Sequence, residues 1–236
     1  MNCSTLMAGR PIDERLRRAA ASGFTAVEFW WPFRRPDPSD HDVDSFVAQI
    51  ESAGSTLVAL NLFAGDLAAG DRGVLSVPGR DVELLASARV AARIGRRLGV
   101  KLFNVLYGNR IPAHDPAEQD AVADRSLREV AAVLSAIDGT AMIEAVSGAK
   151  DYPLRSADDA AAVVARASED GGASNVGILL DLYHLSANGD DVAKAIERYG
   201  PTASHVQLAD LPGRGVRGGG GLPLAAHGDR LRTIGY

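Results

Sequence analysis

Cysteine is nearly absent from this chain, Cys3 being the single one. One thiol cannot build an internal disulfide framework, and its isolation fits a reducing compartment. No apolar run nears the roughly 18 residues that a membrane span requires, and no charged-then-apolar leader opens the chain. No block of Lys or Arg stands out and the net charge is -5, which argues against nucleic acid as the main partner. A Walker loop, a Gly-x-Gly-x-x-Gly after an apolar run and a Gly-x-Ser-x-Gly elbow are all missing. The run Gly218–Gly221 follows no strand directly and opens no convincing helix, so it makes no phosphate cradle. These absences leave a soluble cytoplasmic protein with a small-molecule partner as the expectation.

What is present is material for a large core. Apolar residues make up 46% of 236, enough for one α/β domain spanning residues 1–236. Short β-like runs alternate with longer amphipathic stretches, the pattern of repeated βα units on a parallel sheet. Strands are expected at 2–7, 26–30, 56–61, 101–106, 141–146, 177–181 and 204–208. Helices are expected at 12–22, 43–53, 80–98, 116–137, 156–169 and 189–199, with another in 222–236. Ser156 with Asp159 three residues on makes a loose capping pattern, and Gly23, Gly54 and Gly99 sit where left-handed helix ends are wanted. The expected fold is therefore a TIM (β/α)8-type barrel lacking its eighth strand. Its two open edges would need altered closure or a homo-oligomer to cover them. The Gly- and Arg-rich stretch 213–221 reads as a mobile loop.

Three of these runs end in polar groups: Met142-Ile143-Glu144, Ile178-Leu179-Leu180-Asp181 and Ser204-His205-Val206-Gln207. In a parallel barrel such C-terminal ends converge on one site. Glu144, Asp181 and Gln207 are oxygen ligands, better suited to Mg²⁺ or Mn²⁺ than to zinc. Each carboxylate alone could equally cap a helix or pair with an arginine. His184, three residues past Asp181, could orient substrate hydroxyls or satisfy a loop carbonyl. His205 should point inward one layer deeper, as a core histidine. Arg214 could hold a substrate carboxylate or be a solvated loop arginine. Glu28 suits a structural hydrogen bond to a neighbouring strand better than substrate contact. The aromatic cluster Trp30-Trp31-Pro32-Phe33 could wall a pocket or pack a loop over the barrel mouth.

The stretch Asn61-Leu-Phe-Ala-Gly-Asp66, with Ala68-Ala-Gly-Asp-Arg-Gly73 and Pro78-Gly-Arg80, resembles the hydroxypyruvate isomerase family. So do Ile143-Glu-Ala-Val-Ser147, Leu180-Asp-Leu-Tyr-His184 and His205-Val-Gln-Leu-Ala-Asp-Leu-Pro-Gly-Arg214. The similarity runs in order along essentially the whole chain. It implies a xylose-isomerase-like TIM barrel that interconverts aldose and ketose forms of a small hydroxy-keto acid through an enediolate. Hydroxypyruvate and tartronate semialdehyde would be the simplest pair. By this resemblance Glu144 is metal ligand and acid/base group, Asp181 and Gln207 complete part of the metal shell, and His184 and Arg214 lie beside substrate. The family's further glutamate ligand, on its eighth strand, would fall past Tyr236. A 2-oxo-tetronate isomerase, a sugar epimerase, or a decayed barrel that only binds a small acid stand as alternatives.

Overall fold

The computed structural model describes residues 1–215 and 218–236. Six parallel strands lie side by side in chain order: β1 Ala26–Phe29, β2 Thr56–Asn61, β3 Leu102–Asn104, β4 Thr140–Ile143, β5 Val176–Asp181 and β6 His205–Gln207. The helices are α1 Cys3–Met7, α2 Ile12–Ala21, α3 Asp40–Ser52, α4 Asp81–Leu98, α5 Pro116–Ser135, α6 Ala157–Ser168, α7 Leu182–Asn188, α8 Val192–Tyr199 and α9 Leu224–Thr233. Most follow a strand and return the chain to the start of the next, which keeps every strand parallel. The result is an open, TIM-barrel-like sheet with all strand C-termini at one end. No helix among the described residues is long and apolar enough to cross a membrane.

Local chemistry explains the element ends. Ser39 and Ser156 each make a capping box, with Asp42 and Asp159 reaching back to the cap backbone. Asp115 caps α5 just ahead of Pro116, whose missing N–H costs nothing at the first helical position. Gly99 ends α4 at φ +76°. The apolar faces of these helices bury Phe46, Ile50, Leu84, Ile94, Leu127 and Leu134 against the outer side of the sheet.

One expected strand is a correction. Residues 2–7 form a helix, with only Asn2 bridged to Glu28. The Asn2 carboxamide oxygen accepts from the Ser4 and Thr5 N–H groups and so starts α1 immediately. Among the described residues six strands are therefore present where seven were expected. Helix α7 was not expected either: Asp181 both closes β5 and caps α7.

Both edges of the open sheet take up hydrogen bonds from the chain's own ends. At β1, the Glu28 N–H donates to the Met1 carbonyl at 2.9 Å and the N-terminal amine to the Ala26 carbonyl at 2.7 Å. At β6, the Val206 N–H donates to the Tyr236 hydroxyl at 2.8 Å. The loop 213–221, expected to be mobile, is gathered where described around buried Asp210. That carboxylate accepts from the N–H groups of Leu211, Gly218, Gly220 and Leu222 at 2.9–3.0 Å. These bonds, Leu222's foremost, hold the Asp210 carboxyl below the usual carboxylate range.

Candidate active site and divalent-cation centre

A cavity of about 820 Å³ opens at the C-terminal end of the sheet. Its floor is made by strand ends. Glu144 follows β4, Asp181 ends β5 and sits in register with Gln207, which ends β6. His184 comes in on the first turn of α7. One ligand atom each from Glu144, Asp181 and His184 lie within 4.8 Å of one another, and all three residues are buried. Gln207 and Arg214 line the same cavity, as do Trp30, Trp31 and Phe33. Glu144, His184, Gln207 and Arg214 thus line one space, and Asp181 lies buried behind them, bonded to Arg214 and not itself among the lining residues.

Glu144 is 5% exposed. Asn104, at the end of β3, donates from Nδ2 to its Oε1 at 2.6 Å. Its other oxygen, Oε2, is buried with no hydrogen-bond partner. Burial, and then the negative charge of Asp181, push the Glu144 carboxyl well above the usual range. An orphaned buried carboxylate oxygen is costly unless something completes it. A proton does so, and so does a cation.

Asp181 splits its two oxygens between tasks. Oδ1 accepts from the Tyr183 and His184 N–H groups at 3.0 and 3.3 Å and caps α7. Oδ2 pairs with Arg214 Nη2 at 2.5 Å. Arg214 sits at φ +56°, a left-handed conformation that costs a non-glycine residue about 1–2 kcal/mol. The antiparallel bridge between Asp210 and Gly215 holds it there. Its guanidinium therefore neutralises Asp181 on the cavity side instead of extending into solvent.

His184 Nδ1 lies 3.0 Å from the Ser147 backbone N–H, which can only donate. Nδ1 is therefore an acceptor, and the neutral ring carries its proton on Nε2, 3.8 Å from Asp181 Oδ2. Burial depresses the His184 pKa to about 4, so the ring is neutral at physiological pH. A protonated Nε2 donates hydrogen bonds and makes a poor cation ligand. The carboxylates of Glu144 and Asp181, with the side chain of Gln207 lining the same cavity, are the oxygen groups here that could hold a divalent cation, chemistry that suits a hard ion such as Mg²⁺ or Mn²⁺.

The ion pair with Arg214 makes an expectation of its own. Arg214→Gln frees Asp181 and should tighten Mn²⁺ binding, since a charge-assisted bond of about 1.5–3 kcal/mol no longer competes. That range corresponds to about ten- to a hundredfold in affinity, read by calorimetry. Unchanged or weaker binding would show that Arg214 does not compete for the site.

Several contributors escaped the sequence reading. Asn104 did carry a signal, a lone polar residue in the apolar run Leu102-Phe103-Asn104-Val105-Leu106. Ser147 entered only as the last residue of the Ile143–Ser147 motif with no role given to it, and Tyr152 carried no signal. The Tyr152 hydroxyl is buried between the Tyr107 N–H and the Glu144 carbonyl, at 3.0 and 3.3 Å. The loop after β2, which carries the Asn61–Arg80 family motif, owes its shape to its glycines. Gly65 (φ +83°) would put a Cβ 2.1 Å from Asp71 Oδ2, and Gly73 (φ +110°) one 2.1 Å from the Leu106 carbonyl. Only glycine permits those approaches. Asp71 Oδ2 then accepts from the Asp66 N–H and from Arg80 Nη1, both at 2.9 Å, fixing the cavity's outer wall.

Comparison with known proteins agrees with this architecture. A family model described as xylose isomerase-like TIM barrel matches residues 16–236. A putative hydroxypyruvate isomerase of Streptomyces coelicolor is 45% identical over 100% of this chain and 86% of its own length. A 2-oxo-tetronate isomerase of Cupriavidus necator is 30% identical over 100% of this chain and 87% of its own. Among solved structures, one of Brucella melitensis titled AP endonuclease, family 2, superposes with a TM-score of 0.87. It is 28% identical and covers 100% of this chain and 88% of its own.

Proposed function

The chain belongs to the xylose isomerase-like TIM barrel family, and from that premise we propose that it is a divalent-metal-dependent isomerase of a small hydroxy-keto acid. Hydroxypyruvate, isomerised to tartronate semialdehyde, is the first-choice substrate. The observation that carries this reading is the buried, unpartnered Oε2 of Glu144 facing Asp181 across the strand ends. Support comes from the 45% identical relative, a putative hydroxypyruvate isomerase.

Glu144, Asp181 and Gln207 are the residues that would hold the cation. When bound, it supplies positive charge that polarises a carbonyl and stabilises the negative charge of an enediolate. The rest falls to the chain. Glu144 serves as acid/base group: with Oε2 on the cation, Oε1, which Asn104 orients, takes and returns the proton through its remaining lone pair. In hydroxypyruvate that proton leaves C3 and is delivered to C2, while the hydroxyl proton passes from the C3 oxygen to the C2 oxygen. C3 is oxidised as C2 is reduced, so no external oxidant is needed. His184, neutral with its proton on Nε2, donates to a substrate oxygen without adding charge. Arg214 exchanges its Asp181 partner for the substrate carboxylate, a bidentate match. Trp30, Trp31 and Phe33 wall the cavity mouth and limit water.

A second reading has its own support. About 820 Å³ falls in the range that houses drug-sized ligands, more room than a three-carbon acid needs. A four-carbon hydroxy-keto acid, as in the 30% identical 2-oxo-tetronate isomerase, would use it better. Mn²⁺-dependent turnover of three- and four-carbon hydroxy-keto acids, with a chelator control, tests both. Turnover of either that stops with chelator supports the isomerase reading, and the ratio of kcat/KM values assigns chain length. Tight Mn²⁺ and acid binding with no turnover of either would favour a barrel that only binds.

A further inference from the structure

Glu28 and His205 are left over from the site. Glu28 is 9% exposed, inside the open end of the sheet, and belongs to β1. It does not line the cavity, although Gln207 does. Both of its carboxylate oxygens are taken by β6, across the gap that the sheet leaves open. Oε1 lies 2.9 Å from His205 Nε2, and Oε2 accepts from Gln207 Nε2 at 2.5 Å.

We propose that Glu28 is a positioning residue that locks the Gln207 side-chain amide in one of its two orientations, leaving the amide oxygen as the free acceptor on the cavity. The inference rests on the reading of Gln207 as a cation ligand. Its logic is that of donors and acceptors. A carboxamide can flip, and its two ends have nearly the same shape but opposite polarity. A carboxylate only accepts, so the amide nitrogen must face Glu28. The reverse flip would set two acceptor oxygens against each other and present N–H donors to a cation. The His205 contact on the second oxygen fixes the plane of the carboxylate. The backbone beneath is also fixed, by the bond from the Glu28 N–H to Met1 and by the Asn2 bridge. Burying this charge is expensive, and a hydrogen bond between two neutral groups would close the same gap for less. An acceptor that cannot switch roles is what orientation of the amide requires, and outer partners of this sort set the affinity of metal ligands.

The experiment is a Mn²⁺ titration by calorimetry of the wild type, Glu28→Gln, and the exchange pair Glu28→Gln with Gln207→Glu, with thermal melts of each metal-free protein. Glutamine at 28 can donate or accept, so it releases the flip without removing the side chain. One Mn²⁺ per wild-type chain is expected, with affinity lower by about 10–100-fold in Glu28→Gln. The exchange pair restores a one-way hydrogen bond, now donated from position 28, and offers an oxygen to the cation; it should recover most of the loss. A contact serving stability alone would lower the melting temperature of Glu28→Gln and leave its Mn²⁺ affinity at the wild-type value, which overturns the inference. Failure of the exchange pair to recover affinity overturns it as well. Absence of Mn²⁺ binding by the folded wild type would overturn both this inference and the metal-dependent isomerase reading, whereas equal binding by wild type and Glu28→Gln overturns only the former. Should Glu28→Gln not fold, carbon NMR of the wild type decides: the Gln207 side-chain carbonyl should shift on adding Mg²⁺ while its amide protons stay bonded to Glu28. An unmoved carbonyl resonance would refute the assignment.

Discussion

In the metal-free protein, Glu144→Gln raises the melting temperature at pH 8, and saturating Mn²⁺ reverses the order of the two proteins. Glu144 is buried with one oxygen unpartnered, beside the charge of Asp181. Its folded pKa is raised, so its contribution to stability is fully present below the ordinary value of 4.5 and is lost as pH rises toward the folded value. Glutamine stays neutral throughout, keeps an oxygen for the Asn104 donor, and can donate to Asp181. The two proteins should therefore melt together near pH 4 and separate on the way to pH 8. Relief of an unsatisfied buried group is worth about 1–3 kcal/mol. At about 2–4 °C per kcal/mol for a chain of this size, the gap reaches several degrees. Mn²⁺ at a hundredfold excess over Kd then adds about 2.7 kcal/mol to the wild type and nothing to the variant. Calorimetric scans at both pH values check this. A variant less stable at every pH, or stabilised equally by Mn²⁺, would remove Glu144 from the site.

The second large effect separates the two oxygens of Asp181. Asp181→Asn keeps the carbonyl oxygen that caps α7 and loses the charge that pairs with Arg214 and that, on the proposed reading, would hold the cation. Its fold should hold, with a melting temperature within a few degrees of the wild type. Its Mn²⁺ affinity should fall by at least about 100-fold, since loss of an outer partner alone costs up to that much. Asp181→Ala loses the cap too and should be less stable by about 1 kcal/mol. Calorimetric titration beside thermal melts reads both numbers. Retained Mn²⁺ affinity in Asp181→Asn would show that the cation sits elsewhere.

The strand-end logic was legible because burial and polarity clash. A carboxylate at the end of Met142-Ile143 or Leu179-Leu180 has no solvent to face, so a parallel sheet brings it to the common end. Pattern therefore picked out Glu144, Asp181 and Gln207 as candidates while leaving their roles open, and the structure brings Glu144 and Asp181 together with His184. Residues 2–7 were misread because an apolar, β-like composition does not reveal that Asn2 is placed to cap. Helix α7 was missed because Asp181 serves two elements at once. Glu28 was expected to bond to a neighbouring strand, and His205 to sit unremarkably in the core. Their meeting depends on how β1 and β6 face each other across an open sheet, and no local pattern encodes a contact between residues 177 positions apart. The partner on Arg214 was hidden for the same reason. The Gly65 and Gly73 positions show the opposite case, in which a motif's glycines report directly on close backbone approaches.

The most direct test of the proposed chemistry is proton exchange at the substrate carbon. The Mn²⁺- or Mg²⁺-loaded chain is incubated with hydroxypyruvate in D₂O, and the C3 protons are followed by NMR, with Glu144→Gln alongside. Abstraction by Glu144 should wash solvent deuterium into C3 in the wild type, even where net isomerisation is slow. Exchange should drop by about 10²–10⁴-fold in the variant, the usual worth of a positioned acid/base group. Exchange no faster than in protein-free buffer, or equal in wild type and Glu144→Gln, would contradict an enediolate isomerase built on this site.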